Sequence, residues 1–227
     1  NLRSSPPLLQ GSEHVEIAFK GIRDMIVFTT KRLIIIDPKG LTGNKVLYTT
    51  IPYRSILSFA IETAGAIADL DTEVMLWTDM NPIPADDKKD PPEAARPGMA
   101  FLELEFNKKL VNITGLKKYL SQRILKAYGN ANADEAPLAP PNLEPNDSML
   151  GNFFSYFTDN QRVIDPKTIN AKLHNEASVL LDDENVVMAF KAGRDLTLFT
   201  NFRIMVLDTQ GLTGKRVSYR SFPYKSI

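Results

Sequence analysis

Cysteine is absent from the 227 residues. That excludes disulfides, thiolate-bound zinc, iron–sulfur clusters and thiol nucleophiles, and it leaves the redox compartment open. Histidine is scarce, with only two residues. No apolar run approaches the roughly 20 residues that a membrane-spanning helix needs. Net charge is missing too: 27 Lys and Arg balance 27 Asp and Glu. A protein that wraps nucleic acid would carry a basic excess, so no nucleic-acid partner is expected. What remains is 43% hydrophobic and 24% charged residues, the balance of an ordinary globular chain. Nothing near Asn1 resembles a basic start followed by an apolar core, so the expected location is cytoplasmic.

The dominant feature is an internal repeat. Residues 18–56, AFKGIRDMIVFTTKRLIIIDPKGLTGNKVLYTTIPYRSI, align without a gap to 189–227, AFKAGRDLTLFTNFRIMVLDTQGLTGKRVSYRSFPYKSI. The offset is 171, and 19 of the 39 pairs are identical. A spacing this long does not fit a solenoid, whose repeats run about 20–45 residues. It fits two tandem domains. The first copy continues for about 70 residues beyond Ile56, whereas the second stops at Ile227, the counterpart of Ile56. The second copy is therefore expected to be truncated here, with the natural chain running on past Ile227.

Hydrophobic periodicity predicts seven strands in the first copy: 15–20, 25–30, 32–37, 45–51, 56–62, 72–78 and 99–108. In the last of these, Leu102, Leu104 and Phe106 alternate with Glu103, Glu105 and Asn107. The period then changes to about 3.6. Ile113, Leu116, Leu120, Ile124 and Ala127 share a helical face, with Lys117, Lys118, Arg123 and Lys126 expected mostly away from it. Asn112 is the predicted N-cap and Gly129 the predicted stop. The expected architecture is mainly β, a seven-stranded antiparallel barrel or orthogonal sandwich closed by a C-terminal α-helix. It occurs in two copies, the second truncated.

This order resembles the bacterial pleckstrin-homology (PH) domain family. The resemblance rests on FKGIRDMIVFTTKRLIIIDPKGLTG, the tail IPYRSI and the stretch IETAGAIADLDTE, through to the closing helix. It covers most of 13–128 and 149–227, and it implies a PH-like barrel without known enzymatic activity. The expected division is a first domain over 11–128 with a mobile loop at 79–98, a proline-rich acidic linker at 129–148, and a partial second domain at 149–227. The partial domain should open with helices at 149–157 and 166–181.

Candidate chemistry is sparse. His14 and His174 lie in no motif with a nucleophile or a second ligand, so neither a catalytic residue nor a metal site is expected. Cofactors and a small-molecule substrate are likewise not expected. The carboxylates Asp69/Asp71 and Asp182/Asp183/Glu184 read as solvated turns. Gly40–Gly43 and Gly211–Gly214 are followed by strands, whereas a phosphate loop opens a helix. Tyr48, Tyr53, Tyr219 and Tyr224 read as packing residues with a polar tip, and Trp77 as core.

Many PH domains bind phosphoinositides through basic loops, and the resemblance implies a possible anionic-ligand loop here. Its residues would be Lys20, Arg23, Lys39 and Lys45, with Lys191, Arg194, Lys215 and Arg216 in the second copy. The usual lipid signature is absent, because Arg23 is followed by Asp24 and Met25. Outside the loop at 79–98, the first copy has 13 basic against 10 acidic residues. At about 1 kcal/mol per basic residue near an anionic surface, membrane lipid would be held only weakly. Protein–protein association is the preferred reading. Open strand edges can accept a partner strand, from another protein or in a homo-oligomer, and two tethered domains add avidity.

Overall fold

A computed structural model describes residues 8–21, 24–39, 45–63, 71–80, 100–107, 111–129, 163–175, 179–193, 195–210 and 216–227. The loops Gly40–Gly43 and Gly211–Gly214, the stretch 79–98 beyond Met80, the linker 129–148 beyond Gly129, and the expected helix at 149–157 lie outside them.

All seven strands predicted for the first copy form: β1 (Val15–Lys20), β2 (Met25–Thr29), β3 (Arg32–Lys39), β4 (Lys45–Pro52), β5 (Ile56–Glu62), β6 (Asp71–Thr78) and β7 (Ala100–Asn107). Helix α1 (Ile113–Ala127) follows. Its start is fixed by Asn112, whose side chain accepts the Gly115 N–H at 3.0 Å. Its end is fixed by Gly129, which takes φ +70° and donates its N–H to the Lys126 carbonyl. A left-handed residue at that point is cheapest as glycine. The second copy gives a short strand β8 (Val163–Ile164), helix α2 (Pro166–Asn175), and strands β9 (Val186–Ala192), β10 (Asp195–Thr200), β11 (Arg203–Gln210) and β12 (Arg216–Pro223). Helix α2 is shorter than the predicted 166–181, and Asp165 accepts from Thr168 and from the Lys167 N–H at its start.

The strands form two antiparallel sheets, in the orders β1-β2-β3-β4 and β7-β6-β5-β12-β11-β10-β9-β8. Neither sheet closes on itself among the described residues. The chain divides into two compact units, with the boundary between Ser55 and Ile56. The first unit is the front four strands of the first copy. The second joins the back three strands and α1 of the first copy to the front of the second copy. The junction is the pairing of β12 with β5, with Ser218 opposite Glu62, Tyr219 opposite Ile61, Arg220 opposite Ala60 and Ser221 opposite Phe59. Thr63 extends it, exchanging hydrogen bonds with the backbone of Val217. This order crosses the 11–128 division that the repeat suggests. Alternation along a strand says which face is buried but not which strand lies alongside.

In the first unit, Ile17, Ile26, Val27, Phe28, Leu33, Ile34 and Ile51 are buried. In the second, Phe59, Ile61, Val74, Leu76, Leu104 and Phe106 are buried, as are Leu116, Leu120 and Ile124 of α1 and Leu198, Met205 and Leu207 of the second copy. Two expectations need correction. Lys117 and Arg123 do not face away from the core, because both are buried. Helix α1 is covered on more than the single stripe that its apolar residues mark. Trp77 lies on the half-buried side of β6, against Phe101 at 5.4 Å, because Val74, Leu76 and Thr78 take the buried side.

Candidate functional site

The two copies build the same internal device from the same residues. In the first unit, Glu13 is fully buried and meets Arg32, with Nε 2.8 Å from Oε1 and Nη2 2.9 Å from Oε2. Thr29 sits 2.7 Å from the same carboxylate, and Arg32 Nη2 also donates to the Leu8 carbonyl. In the second unit, Glu184 meets Arg203 with both contacts at 2.7 Å, Thr200 lies 2.9 Å away, and Nη2 donates to the Val179 carbonyl. Tyr53 and Tyr224 each donate their hydroxyl to the carbonyl of that threonine, at 2.9 Å in both copies. Tyr53 and Tyr219 are buried packing residues with a polar tip, whereas Tyr48 and Tyr224 are exposed and depart from that reading. Phe19 against Phe28 and Phe190 against Phe199 also match, with ring centres 6.0 Å apart and near-perpendicular planes.

Electrostatics follow from this enclosure. Burial alone would raise the Glu13 carboxyl. Hydrogen bonds from Arg32, the Gln10 N–H and Thr29 outweigh it and bring the group down to about 2. Glu184 is likewise held below the usual carboxylate range, burial being overcome by the charge and hydrogen bonds of Arg203. The reading of Glu184 as part of a solvated turn is therefore corrected. Asp182 and Asp183 are exposed, and Asp182 pairs with Lys118 at 2.9 Å, but Glu184 is the buried counter-ion of Arg203. The repeat held the signal, since Glu13 and Arg32 recur at the same offset of 171.

The copies differ at Nη1 of the arginine. In the second unit, Arg203 Nη1 lies 2.6 Å from the Ser121 hydroxyl of α1, 2.7 Å from that of Tyr219 and 3.1 Å from that of Ser221. Lys117 of α1 stands over the Tyr219 ring at 5.1 Å, and its Nζ has no hydrogen-bond partner among the described residues. Burial, reinforced by the Arg203 charge, lowers this lysine to about 7. In the first unit, Arg32 Nη1 has no such partner among the described residues. Tyr48, the counterpart of Tyr219, is 40% exposed, against 1% for Tyr219. Leu47 beside it is also 40% exposed. The outer edge of β4 has no strand beside it among the described residues, whereas the outer edge of β12 carries β5.

The basic residues are placed by topology. Lys20 ends β1, Lys39 ends β3 and Lys45 begins β4, so all three come to one end of the first sheet. Lys39 stands opposite Lys45 and is tied to Asp37 at 2.6 Å. Lys191 lies near the end of β9 and Arg216 begins β12. Arg23, Arg194 and Lys215 lie outside the described residues. His174 bonds through Nε2 to the Glu184 carbonyl at 2.8 Å, a structural contact between α2 and the following loop. Among the described residues, no group of three His, Asp or Glu side chains could hold a metal ion. No helix among them is long and apolar enough to cross a membrane.

The bacterial PH domain family matches this chain twice, over residues 3–124 and 153–227. The chain belongs to the bacterial PH domain family. A similar relative is the uncharacterized protein YjqA of Bacillus subtilis (strain 168), 51% identical over 82 residues, or 36% of this chain and 64% of YjqA. Another is the uncharacterized protein YozO of the same organism, 42% identical over 71 residues, covering 31% of this chain and 60% of YozO. The chain thus spans somewhat under two thirds of each. Among solved structures it is similar to a PH domain from Shewanella amazonensis SB2B, at 32% identity over 54% of this chain and 84% of that one, with a TM-score of 0.39. It is also similar to a DUF1696-family protein with a PH domain from Shewanella loihica PV-4, at 31% identity over 54% and 89%, with a TM-score of 0.40. PH-like domains are a non-catalytic module type that generally mediates protein or lipid interactions.

Proposed function

We propose that this bacterial PH protein is a non-enzymatic interaction module that associates with a protein partner, or with its own copies, through open sheet edges. The supporting observation is the pairing of β12 with β5. The fourth strand of one copy carries a further strand on its outer side, and the equivalent strand β4 presents the same side with Leu47 and Tyr48 exposed. Native mass spectrometry of the 227-residue chain at low and high salt tests the reading. Assemblies that persist at high salt and disappear in Tyr48→Asp support it. A monomer at every concentration, in a chain that also captures no protein through β4, overturns it.

A second reading has its own observation, the arrival of Lys20, Lys39 and Lys45 at one end of the first sheet. A peripheral contact with phosphoinositide-bearing membrane would use them, and it would be weak because Asp37 already holds Lys39. Pelleting with anionic vesicles should then fall steeply as salt rises and vanish when the three lysines are reversed to Glu.

A further inference from the structure

We infer that Lys117 is a proton-operated latch on the joint between the two copies: with a neutral amine α1 stays seated on β12, and uptake of a proton lets the helix go. The inference is independent of the interaction reading above, since it concerns a joint inside the second unit. Lys117 and Ser121 lie four residues apart on one face of α1, and both reach the front of the second copy. Ser121 meets Arg203 Nη1 at 2.6 Å. The Lys117 amine, fully buried, stands over the Tyr219 ring and has no hydrogen-bond partner among the described residues.

The charges around this amine do not balance. Lys117 and Arg203 are both fully enclosed, and the carboxylate beside the guanidinium, Glu184, gives both oxygens to Arg203 at 2.7 Å. Arg203 Cζ also lies 6.0 Å from the centre of the ring that Lys117 covers, so two cations share one π system. On α1 itself, Lys118 pairs with Asp182, and Arg123 stands over the Tyr119 ring at 5.5 Å. Among the described residues, the buried side chains of β5, β6 and β7 include no titratable group. An alkyl chain would fill the space without a charge, so packing does not require the amine. Enclosure, reinforced by Arg203, holds it at about 7, against 10.5 for a lysine in water. A released helix, with its amine in water, therefore binds the proton more tightly than a seated one. Release should grow as pH falls from 10.5 to 7, by up to about tenfold per unit, and level off below 7.

Hydrogen exchange of the 227-residue chain at about pH 8.5 and about pH 7 tests this, with rates corrected for the intrinsic chemistry of exchange. The inference expects protection of α1 to fall by about tenfold at the lower pH while β2 and β3 keep theirs, and expects Lys117→Met to abolish the difference. Protection of α1 that is indifferent to pH, or a difference that persists in Lys117→Met, overturns it. An equal loss across β10 and β11 overturns it too, because the whole unit would then be unfolding rather than the helix letting go. Should Lys117→Met not fold, the Lys117 Cε carbon resonance is titrated in the unsubstituted chain. A midpoint near 7 alongside the selective loss at α1 supports the inference, and a midpoint near the 10.5 of a free lysine overturns it.

Discussion

Arg32 and Arg203 occupy equivalent places, pair with equivalent glutamates and touch equivalent carbonyls, yet one is partly open and the other is sealed. The difference lies in β5 and α1. Where the back half covers the front, α1 adds the Ser121 hydroxyl to those of Tyr219 and Ser221 on the front's own strand, and the guanidinium is fully enclosed. Where no such cover is seen, the ion pair is already assembled and Tyr48 stands partly in solvent. The front half therefore carries its own preformed polar core, and covering it completes that core rather than creating it.

The comparison can be broken by removing one member of each pair. Glu184→Ala leaves Arg203 as an uncompensated charge in a fully enclosed site and should cost about 3–5 kcal/mol. Glu13→Ala should cost less, about 1–3 kcal/mol, because Arg32 can turn to water. Chemical denaturation of both variants checks this, and equal losses would mean that the two sites are enclosed alike. Glu13 titrates in the fold at about 2, against 4.5 when free. Its contribution to stability is therefore complete above pH 5 and is lost as pH falls toward 2. Glu13→Gln should flatten that acid limb.

Lys117 sharpens the comparison from the other side, since it is a cost that only the covered site bears. Its value of about 7 in the fold lies below the 10.5 of a free lysine, so the unfolded chain binds the extra proton between these values. Stability should rise with pH from 7 to 10.5 on this account, with the full penalty present at pH 7 and below. Lys117→Met should stabilise the protein by about 2–4 kcal/mol at neutral pH, with the gain fading toward pH 10.5. Melting temperatures across that range measure it. The smallest effect is expected at the start of α1, where Asn112→Ala removes one cap bond and should cost about 1 kcal/mol. Circular dichroism melts would register it.

Much of this was legible in the residues. The alternation of Leu102, Leu104 and Phe106 placed β7, and Asn112 and Gly129 bounded α1 to within a residue. Tyr53 and Tyr219 do pack with their polar tips bonded. Three things were not legible, each for a physical reason. A strand pattern carries no address, so the kinship of β4 and β12, which share Val, Tyr and Pro at matching places, left β5 two similar edges to join. Lys117 and Arg123 read as solvent-facing because charge is rarely buried, and only the packing on the second side of α1 encloses them. Glu184 sits beside two exposed aspartates, and a local reading could not separate it from them without its distant Arg203.

The bond between Thr63 and Val217 spans 154 residues of chain. At about 5–20 residues per second, a ribosome releases β5 roughly 8–30 s before the strand it will lie against exists. Through that interval β1–β4 are already made. Nascent β5 is thus an adhesive strand awaiting a later mate, and translation speed becomes a variable in how the molecule is put together.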